Sequence, residues 1–220
     1  TFLSVISLIS YVLTKVAVTV YAGGIAFKTI LGIESIWGID FFWISAIGLV
    51  VITGIYTVLG GMKAIMWTSV LQTPVLIIGS LVILVVGLDK VGGWAEVERI
   101  NDANMHLIRS ASDAEFPWPG IVFGSFIIGF WYWCTDQYIV QRVLSAKGIK
   151  EARRGTMFAG YLKLLPVFIF LVPGMIAYAL NVKGIISYES ADQAFPTLVA
   201  ELLPAGVKGI VIGGLVAALM

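Results

Sequence analysis

"AIMWTSVLQTPVLIIGSLVILVVG", residues 64–87, runs from end to end without a charged side chain. A helix needs about 20 mostly apolar residues to cross a hydrocarbon core of roughly 30 Å, and this stretch supplies them. The run is continuous, whereas a barrel strand alternates apolar and polar residues over about ten positions. Residues 64–87 therefore read as a membrane-spanning helix, and a β-barrel is excluded.

Working outward, comparable runs lie at residues 2–31, 41–59, 119–144 and 157–180, with a shorter one at 207–220. The expected fold class is an all-α membrane bundle of about five transmembrane helices plus a truncated sixth. Composition agrees: the 220 residues are 59% hydrophobic and 12% charged, against about a quarter charged in soluble domains. The net charge of +1, from 14 basic and 13 acidic residues, gives no excess that would attract nucleic acid. One cysteine, Cys134, excludes an internal disulfide, and one histidine, His106, leaves no Cys/His set of metal-ligand spacing. Thr1 begins inside an apolar run without a basic leader, and Met220 ends inside another, so an internal fragment of a longer protein is expected.

Charge distribution gives a topology. Residues 88–118 form the longest polar piece, with Lys90, Arg99 and Arg109 against Asp89, Glu96, Glu98, Asp102, Asp113 and Glu115. Residues 142–154 carry Arg142, Lys147, Lys150, Arg153 and Arg154 against Glu151, which the positive-inside rule assigns to the cytoplasm. The acidic loop is then outside, as are residues 32–40 and 181–206, while the turn at 60–63 is inside. Trp37, Trp43, Trp67, Trp94 and Trp118 fall near expected helix ends, where amphipathic rings favour the membrane interface.

Ionisable groups within the spans are costly, about 2.5 to 3.5 kcal/mol on insertion scales, and need partners, water or a purpose. Lys15, Asp136 and Lys163 are the three candidates. Lys163 could snorkel to the interface or point inward as a donor to a polar ligand. Pro166 lacks an amide proton and crowds the carbonyl of Leu162, so backbone bonding beside Lys163 should be weakened.

The segment "IIGFWYWCTDQYIVQR", residues 127–142, is the most polar of the spans. In one continuous helix, Gly129, Tyr132, Trp133 and Asp136 fall at i, i+3, i+4 and i+7, with Gln137 and Gln141 continuing the fan. Such a face suits a sugar, whose hydroxyls bond to amides and carboxylates while its C–H face packs on rings. Interhelical packing through hydrogen bonds would use the same residues. Hydrolysis is disfavoured, since Asp136 is the only embedded carboxylate and no nucleophile with a base accompanies it.

Four ordered segments carry a resemblance. "YTVLGGMKAIMWTSVLQ" (56–72) resembles the signature of the sodium/solute symporter family, and "WYWCTDQYIVQRVLSAK" (131–147) is similar to its sodium/glucose branch. "GYLKLLPVFIFLVPGMI" (160–176) and "AFPTLVAELLPAGVKGIV" (194–211) continue the match. The resemblance implies a LeuT-like inverted-repeat fold with ligand sites near the bilayer midplane. Residues 2–87 would be the last three helices of the first repeat, 88–118 an extracellular loop, and 119–220 the first three helices of the second.

The resemblance also implies roles. Tyr132 and Trp133 would gate a sugar site on its cytoplasmic side, and Lys163 would hydrogen-bond the sugar. Gly129 stands where relatives have a polar sugar contact, and Ser69 where they commonly have an aspartate linked to cation coupling. Ala218 would offer a backbone carbonyl to the co-transported sodium, with two hydroxyls following Met220. The implied activity is sodium-coupled symport of a hexose by a multi-pass protein of the cell membrane. An inositol, amino acid or carboxylate symporter, or a passive channel or sensor on the same bundle, are the alternatives.

Overall fold

The computed structural model describes residues 2–102, 105–106 and 108–219, with the backbone alone at 56 and 215–219. Met220, the end of the expected sixth span, lies outside the described residues. The chain forms two compact units, Thr1–Ile100 with Val167–Met220, and Asn101–Pro166.

In the first unit, α1 (Phe2–Leu31) is apolar along its length and carries a wider π turn at Val12–Val16 that contains Lys15. It stops at Gly32, whose φ of 63° lets its amide donate back to the Lys28 carbonyl at 3.1 Å, a stop that glycine makes without strain. A hairpin of β1 (Ser35–Ile36) and β2 (Ile39–Asp40) follows, a small addition to the all-helical expectation. Trp37 and Gly38 turn it with φ of 54° and 78°, the positive values that tight hairpins require.

Helix α2 (Phe41–Val91) is started by Asp40, whose carboxylate accepts the Phe42 amide at 2.8 Å. It is broken at Gly61 (φ 56°, ψ −159°), inside the turn expected at 60–63. The expected outer loop is shorter than its sequence suggests. Helix α2 persists to Val91, and α3 (Trp94–Asn101) occupies much of the remainder. Gly92 and Gly93 make the stop between them, their amides returning to the Leu88 carbonyl at 3.1 and 2.8 Å.

Three further helices complete this unit: α7 (Val172–Val182), entered through a π turn at Val167–Leu171, α8 (Ala194–Leu202) and α9 (Ala205–Leu219). Their apolar faces meet α2 in a core that includes Ile83, Ile176, Leu180, Leu198 and Val199, all fully buried. Gly87 allows α7 close approach, since a Cβ there would lie 2.7 Å from Ile176 Cγ2. At the end of α7, Lys183 donates to the Val91 carbonyl at 2.5 Å and pairs with Glu96 at 3.0 Å. Hydrogen bonds from Arg99 first, then Lys183, hold the Glu96 carboxyl down at about 2.

The second unit contains α4 (Trp118–Phe130), a π turn (Trp131–Thr135), α5 (Gln137–Leu144) and α6 (Ile149–Leu162). Residues 119–144 are therefore not one span. At Asp136 the backbone turns extended (ψ 111°), and the carboxylate accepts the Tyr138 amide at 3.2 Å to start a new helix. Sequence spacing showed a polar residue on a helix face, where the structure uses that residue as a helix start. Helix α6 begins at Ile149, ahead of the expected residue 157, because Lys150, Arg153 and Arg154 are good helix formers on its early turns.

Beside Lys163 the bonding expected to be weakened is instead replaced by shorter-range bonds, and the Leu162 carbonyl is taken by Leu165. Leu164 and Leu165 donate to Tyr161 and Leu162 at 3.1 Å, three residues back rather than four.

Among the described residues, three helical stretches are long and apolar enough to cross a membrane: Phe2–Leu31, Thr57–Val91 and Ile149–Val182. Phe41–Ile55 and Ala205–Gly214 are apolar but shorter. The expected count of five plus a sixth is thus not matched on length. Asp136 interrupts the run expected at 119–144, whereas Gly61 falls in the turn expected between the runs 41–59 and 64–87. The five tryptophans expected near helix ends are all exposed.

Candidate functional site

The most developed constellation lies wholly in the second unit. The π turn adds a residue to the backbone cycle at Trp131–Thr135, an irregularity that often marks a functional position in a helix. The Asp136 amide closes it by donating to the Trp131 carbonyl at 2.8 Å. It sets Tyr132 and Trp133 edge to face, with ring centroids 5.4 Å apart at 87°.

Across from them, α6 presents Thr156 and Ala159, with Lys163 capping its end four residues on. The Lys163 ammonium lies 4.7 Å from the Tyr132 ring centroid and 5.7 Å from that of Trp133, within the reach of a cation–π contact. The ammonium is turned over these two rings.

These groups border a cavity of about 260 Å³, which Arg142 of α5 also lines. The Arg142 guanidinium sits 4.1 Å from the Tyr138 ring centroid. The cavity is slightly below the 300 to 1,000 Å³ of drug-sized pockets and presents aromatic faces, the hydroxyl-bearing Tyr132 and Thr156, and two cationic groups. That set can hold a small polyhydroxylated solute by ring stacking and by donation to its oxygens.

The other candidates are placed apart. A Cβ built on Gly129 meets nothing within 4 Å, so a larger side chain has room there. Asp136 is only 1% exposed and serves as the helix start described above, which removes it from the stripe that a continuous helix would form. Gln137 is exposed, one residue past the break. Neither Asp136 nor Gln137 lines the cavity. Ser69, in α2, donates to the Ile65 carbonyl at 2.8 Å. Ala218 lies in the last turn of α9. Lys15 places its ammonium 4.2 Å from the Tyr11 ring centroid, and His106 is exposed.

The model of the sodium:solute symporter family matches residues 1–220, the whole of the chain. The chain belongs to the sodium:solute symporter family. It is 34% identical over 255 residues to sodium/glucose cotransporter 1 of Oryctolagus cuniculus, with all of this chain and 38% of the relative aligned. It is 34% identical over 250 residues to sodium/glucose cotransporter 4 of Danio rerio, covering 37% of that protein. It is 35% identical over 259 residues to the sodium/myo-inositol cotransporter of Canis lupus familiaris, covering 35% of it. The chain therefore spans less than two fifths of the length of these relatives.

The sequence put Tyr132, Trp133 and Lys163 forward as candidates, with Arg142 counted only among the cytoplasmic basic residues. The missed signal was its spacing from Tyr138, four residues back, which stacks cation on ring in a helix.

Proposed function

We propose that the complete protein is a secondary active transporter that couples sodium entry to uptake of a neutral sugar, a hexose such as glucose or galactose, across the cell membrane. The observation that carries this reading is the convergence of Tyr132, Trp133 and Lys163 on one cavity of about 260 Å³. The names of the relatives, two glucose cotransporters and one myo-inositol cotransporter, support a small neutral polyol.

In this reading the sugar's C–H face rests on Tyr132, and the Lys163 ammonium donates to its hydroxyls. Withdrawal of Tyr132 and Trp133 opens the site to the cytoplasm. Sodium favours the outward-open state, so that sugar and ion cross together by alternating access. Residues 2–87 supply the last three helices of the first repeat, and 119–220 the first three of the second. The Ala218 carbonyl contributes to the sodium position, and Ser69, in place of an acid, alters coupling.

The test is uptake of labelled glucose into proteoliposomes holding the full-length protein, with an inward sodium gradient or with choline. Uptake is expected only with sodium. Tyr132→Ala and Lys163→Ala are each expected to lower it about tenfold, the ~1.4 kcal/mol scale of a cation–π or stacking contact. Unchanged uptake in both variants would overturn the site, and sodium-independent uptake would overturn the coupling.

One observation favours a second reading. Arg142 lines the same cavity as Lys163, and two cations suit an anionic solute, such as a carboxylate carried by a symporter of this family. Sodium-driven uptake of a labelled sugar acid that excludes glucose, and that is lost in Arg142→Gln, would select it.

A further inference from the structure

The first unit holds a separate cavity of about 290 Å³, bordered by Tyr21, Lys28, Thr29, Phe42, Trp43 and Gln193, with Asp40 among them. We propose that it is a second solute site, a docking position for a neutral cyclic polyol on the outer side of the transporter.

Its chemistry is neutral by construction. The Lys28 ammonium donates to Asp40 Oδ2 at 2.6 Å, and Asp40 Oδ1 accepts the Phe42 amide at 2.8 Å. The pair is internally neutralised, so a charged ligand finds no unpaired opposite charge there, whereas a neutral one can add hydrogen bonds to both partners. Lysine carries three donors and a carboxylate about four acceptor positions, so capacity for hydroxyl groups is left on both partners. Thr29 adds a hydroxyl. Gln193, whose Oε1 accepts the Glu189 amide at 3.0 Å, adds two amide protons.

The apolar side is aromatic and fixed in place. Tyr21 meets Phe42 at 5.7 Å and 66°, and Phe42 meets Trp43 at 5.3 Å and 82°. Gly24 lets the Phe42 ring seat against α1, since a Cβ there would lie 2.7 Å from that ring. Ser45 bonds the Phe42 carbonyl at 2.9 Å. A ligand therefore meets rings already ordered, and Trp43 remains 60% exposed to receive its C–H face.

Position assigns the side. The cavity joins Asp40, at the end of the 32–40 connection, to Gln193, within the 181–206 connection. Charge distribution puts both connections outside, and their residues share one pocket here.

The choice of probe rests on the sugar reading of the family site, so the experiment separates the two claims. Equilibrium binding of labelled glucose and of labelled myo-inositol is measured on the purified full-length protein with sodium. Wild type is expected to bind two per chain. Trp43→Ala and Asp40→Asn are each expected to bind one, and Asparagine retains the helix start, which guards against misfolding. Tyr132→Ala is expected to keep the site at Trp43. One ligand per chain in wild type, lost in Tyr132→Ala and kept in Trp43→Ala, overturns the second site and leaves the transport reading intact. No binding in wild type overturns both. Displacement of the polyol from Tyr132→Ala by the anion gluconate overturns the neutral class.

Discussion

Both units expose large apolar side chains, such as Leu59 and Phe126, but among the described residues only the first also closes an apolar core. In residues 1–100 and 167–220, Ile83, Ile176, Leu180 and Leu198 are sealed from any surface. In residues 101–166, Phe123, Phe126 and Ile127 are 68%, 74% and 75% exposed, and the helices bury no apolar residue, while Asp136 is buried to 1%. In water such an arrangement would be unstable, but lipid tails are as apolar as leucine, so exposed rings carry no penalty there. One unit is held by packing and the other by backbone geometry around a polar helix start. The aromatic cavity with Lys163 lies in the second, where irregular backbone and loose packing leave space for a ligand.

Truncating one isoleucine in each unit tests this contrast most severely. Ile176→Ala, in the closed core, is expected to cost about 2–5 kcal/mol, while Ile127→Ala, on the open face, should stay within about 0.5 kcal/mol. Thermal unfolding of the purified protein in one detergent measures both. Equal losses would abolish the distinction between the units.

A smaller effect of opposite sign is expected for added methyl groups. Gly87→Ala places a Cβ 2.7 Å from Ile176 Cγ2 and should destabilise by about 1–3 kcal/mol. Gly129→Ala meets nothing within 4 Å and should stabilise its helix by up to about 1 kcal/mol. The same melts report both signs, and stabilisation by both would show that the core closes less tightly at α7 than the distances imply.

The smallest effect sharpens the first unit's outer end. Glu96 has its carboxyl lowered from 4.5 to about 2 by Arg99 and Lys183. A lowered folded value contributes stability that is complete above about 4.5 and is lost as pH falls toward about 2. The melting difference between wild type and Glu96→Gln should therefore be constant from about pH 5 to 8 and shrink below. A difference that grows in acid would reverse the sign of the linkage.

Much of the scaffold was legible. The uncharged run at 64–87 gives a membrane helix by length alone, and the glycine pair at 60 and 61 marks the break that φ of 56° at Gly61 confirms. Pro166 marked the irregular turn beside Lys163, because a missing amide acts locally, but not the three-residue bonds that replace the helical ones there. Asp136 was misread for a physical reason. Face assignments assume 3.6 residues per turn, and a π turn followed by a cap shifts every later side chain. Nothing in Trp131–Thr135 announces a π turn by composition. Arg142 lies in the same helix as Tyr138, four residues on, so its contact with that ring follows from local spacing beyond the break.

Composition and order of segments by themselves determined that this chain is a helical membrane protein, and motifs in sequence order determined its family. These properties are local or additive: apolar length, charge counts between spans, and ordered strings of residues. Only the tertiary structure decided which polar residues share a cavity. Tyr132 and Lys163 are thirty-one positions apart, and the ammonium reaches the ring through two helices, a π turn and a short connection. The same holds for Asp40 and Gln193, joined across most of the chain in one pocket. Convergence of this kind depends on where helices stop, and single capping residues and glycines set those stops.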